Sequence, residues 1–432
     1  MGSQNGNSSD GPATGGTEDE RANGSNGGEG AATRGGRSSS TLSRRQVVRT
    51  AGLAGAFGLA GCLGSIGGGG ADTLKIGVIA AMSHGWGSSG KALARGVQVY
   101  VDRVNENGDL NVETYVEDTE ISPKTTAQKT KKLIKKNGVH AIIGPIGAVA
   151  RDAAIPIASR NQVPLLNPTA DEGPAADTYC NKWYFKSSEV PVQQINPLIP
   201  WLVDNYDGDR FYLIGDDYTW PHRINELVTK QVEANGGTIV GEQYVKLGTT
   251  DFTSIIPKIA EKKPDFLFST ATTGAGTLQK QIYNQGHKKD WTTIGLVFNQ
   301  DLIAGLPPKA MTGQLSSHAY FEKLDNDVNK QMVSDFRSKY GEEAFINYLT
   351  GPANTAARFV VNAVKEKNST DPADLRDGIR GASIDSPCGP VEMGHDQQMK
   401  VGCTVAEIND NLKLDPLKKF QAVMPKDSCE NK

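Results

Sequence analysis

Chemistry-bearing residues are sparse in this chain. Its six histidines, His84, His140, His222, His287, His318 and His395, are scattered, with no HExxH-type pair and no metal-ligand spacing. There is no GxSxG elbow, Walker loop or phosphate fingerprint, and the Gly-rich leader lacks the strand a dinucleotide site requires. These absences predict no metal, no cofactor and no enzyme. Excess charge is missing too: 46 Lys+Arg face 49 Asp+Glu, so no basic field argues for DNA or RNA as a partner. Long apolar runs are also absent. The 12 residues between Arg49 and Cys62 are rich in Gly and Ala, whereas a spanning helix needs roughly 20 strongly apolar residues.

What is present divides unevenly. Of 49 glycines, 20 fall in the first 70 residues, leaving 29 for the other 362 of the 432. Residues 1–42 form a polar extension with no aromatic residue and no apolar cluster, a composition that cannot offset ordering entropy and predicts disorder. A basic patch, Ser43-Arg44-Arg45-Gln46-Val47-Val48-Arg49, then precedes the short apolar stretch. That order reads as an export signal over 43–61. The patch resembles the twin-arginine export motif, and Leu59-Ala60-Gly61-Cys62 resembles a lipobox. That resemblance makes Cys62 a lipidated first residue; the alternative is cleavage nearby with Cys62 discarded. Residues 62–71 would then be a flexible tether.

From Asp72 onward short apolar runs alternate with helical periodicity. Strands are predicted over 74–82, 112–116, 141–143 and 164–167, and helices over 91–105, 125–136 and 148–159. A second series begins after Pro191: helices over 197–205, 223–235, 252–261 and 276–285, with strands over 210–215, 238–245, 266–269 and 292–297. The length suits two domains. Alternation of this kind predicts two α/β units with parallel sheets flanked by helices, and a ligand cleft at the carboxyl ends of the strands.

Lys75-Ile76-Gly77-Val78-Ile79, the export signal and the paired α/β units together resemble the type I periplasmic binding proteins of ABC importers, over about Asp72 to Phe420. Tyr212-Leu213-Ile214-Gly215-Asp216-Asp217-Tyr218-Thr219-Trp220-Pro221 resembles the amide- and urea-binding branch of the branched-chain amino-acid receptors. Residues 382–391 and 404–408 resemble that branch's closing hairpin. The resemblance implies a two-lobed fold with three hinge crossings, near Gln193, Tyr320 and Ile384. Lobe one would hold 72–193 and 321–384; lobe two would hold 194–320 and 385–425.

It also implies the site. Gly147 and Ala148 open a helix whose backbone N–H groups can hold a carboxylate or carbonyl oxygen, although the hydroxyl expected there is missing. Thr169 and Asp171 follow the next strand. Tyr218 and Trp220 supply aromatic faces, and Asn299 lies where amino-acid receptors place an acid, with Asp301 a shifted candidate. Trp86 would lid the cleft or cover the core. Thr270 ends a lobe-two strand, facing ligand or satisfying its own backbone; Asp171 equally reads as a helix cap.

These features predict an exported, lipid-anchored receptor that captures a small amide, urea-like compound or amino acid and passes it to an ABC permease. A ligand sensor coupled to a membrane transducer and an exported α/β enzyme are the alternatives; no signalling domain follows Phe420, which favours transport. Cys388 with Cys403 is the easiest disulfide if the terminal hairpin aligns them, with reduced buried thiols the alternative, and Asn368-Ser369-Thr370 fits a glycosylation sequon.

Overall fold

The structure is a computed structural model that describes residues 73–170 and 181–425. The leader, Cys62, the tether, Asp171, Cys180 and Cys429 lie outside the described residues.

Strand β1 (Leu74–Ala80) is buried along nearly its whole length, as a strand covered by helices on both faces must be. It sits inside a five-stranded sheet of order β2-β1-β3-β4-β5, with β2 (Val112–Asp118), β3 (Ala141–Ile143), β4 (Leu165–Asn167) and β5 (Tyr184–Lys186). All its pairings are parallel. Helices α1 (Gly87–Glu106), α2 (Pro123–Lys132) and α3 (Ala148–Arg160) make the crossovers. Every predicted strand in this half appears, and α1 begins four residues earlier than its apolar period suggested.

The chain then passes through α4 (Pro191–Asn205) into a second sheet of order β15-β14-β10-β9-β8-β6-β7. Its members are β6 (Arg210–Asp216), β7 (Thr238–Val245), β8 (Phe266–Thr270), β9 (Thr292–Gly295), β10 (Leu315–His318), β14 (Thr404–Ile408) and β15 (Leu414–Lys419). Strands β6 to β10 run parallel, while β14 and β15 are antiparallel additions. Helices α5 (Thr219–Ala234), α6 (Ile256–Glu261), α7 (Ala275–Asn284), α8 (Gln300–Ile303) and α9 (Pro308–Met311) connect them. Helix α4 starts at Pro191 rather than at the predicted Pro197, and holds both Pro197 and Pro200 inside it. Helix α6 starts at Ile256, four residues later than expected.

Between β10 and β14 the chain returns to the first lobe as α10 (Asp327–Tyr340), α11 (Thr350–Lys367) and α12 (Pro372–Ile379). Helix α11 lies directly on α1 because Gly96 has no side chain: a Cβ there would stand 2.3 Å from the Thr350 carbonyl oxygen. Asn354 Nδ2 donates to Gly96 O at 3.0 Å across the same contact. Strands β11 (Ser383–Ser386), β12 (Gly389–Met393) and β13 (Met399–Lys400) form a separate antiparallel sheet. Cys388, Val391, Met393 and Met399 join an apolar cluster with residues of α1 and α11, and the same cluster takes in Phe298, Ile303 and, from β14, Ala406 and Ile408. Only β14 and β15 complete the second sheet. Cys388 and Cys403 are free buried thiols, the second of the two alternatives read from the sequence. The second lobe packs its own core around Leu198, Phe211, Ile224, Val228 and Phe268.

Candidate functional site

The first wall of the cleft is built at the carboxyl ends of β1, β3 and β4. Asp118, ending β2, accepts the Met82 N–H at 2.9 Å and the Glu120 N–H at 2.9 Å. Partial burial pushes its carboxyl up, but these donors outweigh that and hold it below its usual range. The anchored loop continues as a 3-10 turn, His84–Trp86, at the start of α1. There the Trp86 ring lies on Gly147: a Cβ at Gly147 would stand 2.8 Å from Cζ3. Gly147 has φ 87°, a conformation that suits glycine, and no side chain caps α3 behind it. The first N–H groups of α3 therefore have no intrahelical acceptor and sit at the positive end of its dipole, next to an indole face.

Buried side chains hold that loop from behind. Asn167 Nδ2 donates to Pro145 O at 3.1 Å. Its Oδ1 accepts from Thr169 N at 3.2 Å, Thr169 Oγ1 at 2.8 Å and Lys186 Nζ at 3.2 Å. Thr169 is thus buried and donates its hydroxyl within the lobe. Burial drives the Lys186 ammonium well below its usual range; the nearby Arg151 charge pushes the same way, and Glu189 opposes both. Sequence reasoning missed Lys186 and Arg151. A lysine amid Tyr184, Phe185 and Val190 was the available signal, because a charge so placed must find polar partners.

The second lobe's candidate residues lie at the carboxyl ends of β6, β8 and β9. Asp216, ending β6, accepts from Thr272 N at 2.7 Å and Thr272 Oγ1 at 2.5 Å, which fixes the neighbouring turn. Tyr218 and Trp220 follow at the start of α5, stacked with centroids 6.5 Å apart and planes 23° apart. Trp220 also packs against the second core, so it serves the fold as well as the wall. Thr270 does not reach the cleft: its hydroxyl bonds Ile214 O and Asn225 Oδ1, each at 3.3 Å, inside the lobe. Asn299 is buried and caps α8, its Oδ1 accepting from Leu302 N at 3.0 Å.

Behind the cleft, one short segment ties the crossings together. Glu189 Oε1 accepts from Ala319 N at 3.1 Å and lies 3.3 Å from His318 Nδ1. Gln194 Nε2 donates to Ser317 O at 2.7 Å, and Gln193 Nε2 donates to Met399 O at 3.0 Å and Val423 O at 2.8 Å. Burial raises the Glu189 carboxyl, but His318, Ser188 and the Ala319 N–H outweigh it and keep it below its usual range. Tyr348 stacks on His318, centroids 4.3 Å apart and planes 13° apart. Among the described residues no group of His, Cys, Asp and Glu is arranged to hold a metal ion, and no helix is long and apolar enough to cross a membrane.

Comparison with known proteins agrees with this architecture. The sequence profile of a family described as periplasmic binding protein matches residues 73–413. Leu/Ile/Val-binding protein homolog 6 of Brucella melitensis biotype 1 is 22% identical over 333 residues, 75% of this chain and 84% of that protein. A solute binding protein of an ABC transporter from Rhodopseudomonas palustris BisB5, solved with 3,4-dihydroxybenzoic acid, superposes with a TM-score of 0.73 at 24% identity, covering 83% of this chain and 99% of that one. A branched-chain amino acid transporter substrate binding protein from Streptococcus pneumoniae, solved with isoleucine, superposes at 0.71 with 20% identity, covering 81% and 100%. Each is named for binding a solute rather than for catalysis. With its profile matched over well more than half its length and the two-lobed fold in place, this chain belongs to the periplasmic binding protein family.

Proposed function

We propose that this protein captures a small solute between its lobes outside the cytoplasm and delivers it to the permease of an ABC importer. The observation that carries the reading is the uncapped start of α3 with the Trp86 ring laid on Gly147. Such a corner offers backbone donors to an oxygen-bearing end and an indole face to a planar or apolar body. Tyr218 and Trp220 would cover that body from the second lobe, while Ala148 and Thr169 line the first.

The residues around Tyr218 favour an amide, urea-like compound or amino acid, and the relatives add aromatic acids. The uncapped start of α3, at the positive end of its dipole, favours the members that carry a carboxylate. We further propose that the protein is exported through the twin-arginine route and held at the outer face of the membrane by lipid on Cys62, supported by the order of the two motifs. A single acyl chain anchors only weakly, so a second is expected.

A thermal-shift panel tests the reading, with benzoates, branched-chain amino acids, short amides and urea. A true ligand at 100 times its Kd stabilises by about 2.7 kcal/mol. A panel in which no compound shifts the transition, while one is hydrolysed, would replace capture with catalysis. Cys62→Ser should release the protein from the membrane fraction; a variant still membrane-bound would remove the lipid anchor.

A further inference from the structure

Asp301 lies in the first turn of α8 in the second lobe, two residues beyond the capping Asn299. Its Oδ1 accepts from Asn347 Nδ2 at 3.2 Å, and its Oδ2 accepts from Ser89 Oγ at 3.4 Å. Both donors belong to the first lobe: Ser89 to the opening turn of α1, Asn347 to the loop before α11. The carboxylate is thus gripped from across the cleft by two separate elements, one of which starts at Trp86.

The Asn347 donor is fixed in orientation. Its Oδ1 accepts the Leu349 N–H at 3.0 Å, and its own N–H donates to Thr350 Oγ1 at 3.1 Å. With the amide oxygen committed to the start of α11, the Nδ2 side must face Asp301. The next residue, Tyr348, stacks on His318 of the hinge. One loop therefore holds the opposite lobe with one side chain and rests on a crossing strand with the next. Beside it, Phe298 and Ile303 of the second lobe share an apolar core with Leu93 and Val97 of α1.

We propose that Asp301 is a positioning residue that sets ligand affinity by clasping the lobes shut, without touching the ligand. This role differs from the expectation that an acid in this region receives a ligand ammonium, and it is drawn from the hydrogen bond each oxygen accepts from the facing lobe. The inference rests on the capture function proposed above. Ligand binds the closed arrangement, so apparent affinity scales with the fraction of molecules closed. A charge-assisted pair that favours the closed arrangement raises that fraction, so its loss lowers affinity about tenfold, mostly through faster release.

The test uses the full exported chain and needs no ligand for its first arm. Small-angle scattering of unliganded Asp301→Ala should show a larger radius of gyration than the parent. Ser89→Ala should show a smaller shift in the same direction, and the double variant should add little beyond Asp301→Ala alone. Should Asp301→Ala fail to fold, Ser89→Ala carries the comparison. The second arm measures affinity for whichever panel compound binds; the loss should be alike for ligands with and without an amino group. Scattering curves identical to the parent's, or a loss confined to amino-bearing ligands, would overturn the clasp. A parent that binds nothing in the panel defeats the capture function instead, and the scattering arm still decides the clasp.

Discussion

Replacing Gly147 with Ala tests the corner on which the proposed function turns. The residue has φ 87° and ψ 140°, a region occupied almost only by glycine, which costs a side-chain-bearing residue roughly 1–3 kcal/mol. The new Cβ would also stand 2.8 Å from Cζ3 and 3.3 Å from Cη2 of Trp86, and overpacking of this kind adds roughly 1–3 kcal/mol. Gly138 is the control: it too has positive φ, 66°, but a Cβ there meets nothing within 4 Å, so Ala should cost only about 1 kcal/mol. Urea unfolding should therefore rank Gly147→Ala well below Gly138→Ala. Adding Trp86→Ala to Gly147→Ala should recover the steric part and leave the conformational part. Ligand affinity should fall at least tenfold in Gly147→Ala and hardly change in Gly138→Ala. Equal costs at the two glycines, or no relief on removing Trp86, would show that the ring and the helix start do not form one corner.

Tyr218→Ala should leave the fold intact and cut affinity about tenfold, whereas Trp220→Ala, which also opens the second core, should cost roughly 2–4 kcal/mol of stability as well; calorimetric titration beside urea melts separates the two. Burial pushes the Cys388 thiol up to about 12 and Cys403 upward too, so both should resist iodoacetamide at pH 8 in the native chain and react once it is unfolded, read by peptide mass mapping. Because the folded thiols titrate above the unfolded ones, their stabilisation is complete below about pH 9 and is lost as pH rises, at about 1.4 kcal/mol per unit for each thiol; Cys388→Ala should flatten part of that slope. Glu189 has the opposite sign. Its folded carboxyl titrates below its unfolded value, so its contribution is present above about pH 4.5 and lost as pH falls through the folded value. Glu189→Gln should lose less stability than the parent between pH 5 and pH 3, and parallel curves would refute the stabilisation of the ionised carboxylate by His318, Ser188 and the Ala319 N–H.

Most of the architecture was legible because it is written in local patterns. The buried run Leu74–Ala80 and the alternation of strand and helix periods are set by which faces need covering, and the strands at 141–143 and 238–245 fall where predicted. Boundaries at prolines were harder to read. Pro197 resembles a helix start, yet Pro191 holds that place and α4 runs on through the second proline. The polar interior was not legible. Lys186, Glu189 and His318 look like ordinary residues in their local stretches, and their partners lie far away in sequence, as with Ala319 N on Glu189. Asn299 was identified as a site residue from its position after a strand, but a helix cap asks for the same residue type there. Thr270 shows the same ambiguity resolved inward, because Gly215 leaves space beside it and Asn225 supplies a partner.

The antiparallel pairing of β10 with β14 bears on the order in which the molecule can assemble. Strand β10 ends at His318 and its neighbour begins at Thr404, so one side of β10 stays unpaired until almost the last of the described chain is available. The first lobe waits as well, since α1 is covered by α10 and α11, both of which follow β10 in the chain. Neither half can finish alone as the chain emerges. A molecule cut short before Thr404 would present an unpaired strand to its neighbours, the condition that leads edge strands to aggregate. The last pairing of the second sheet thus waits on the final strands, and a nascent chain keeps one side of β10 exposed until they arrive.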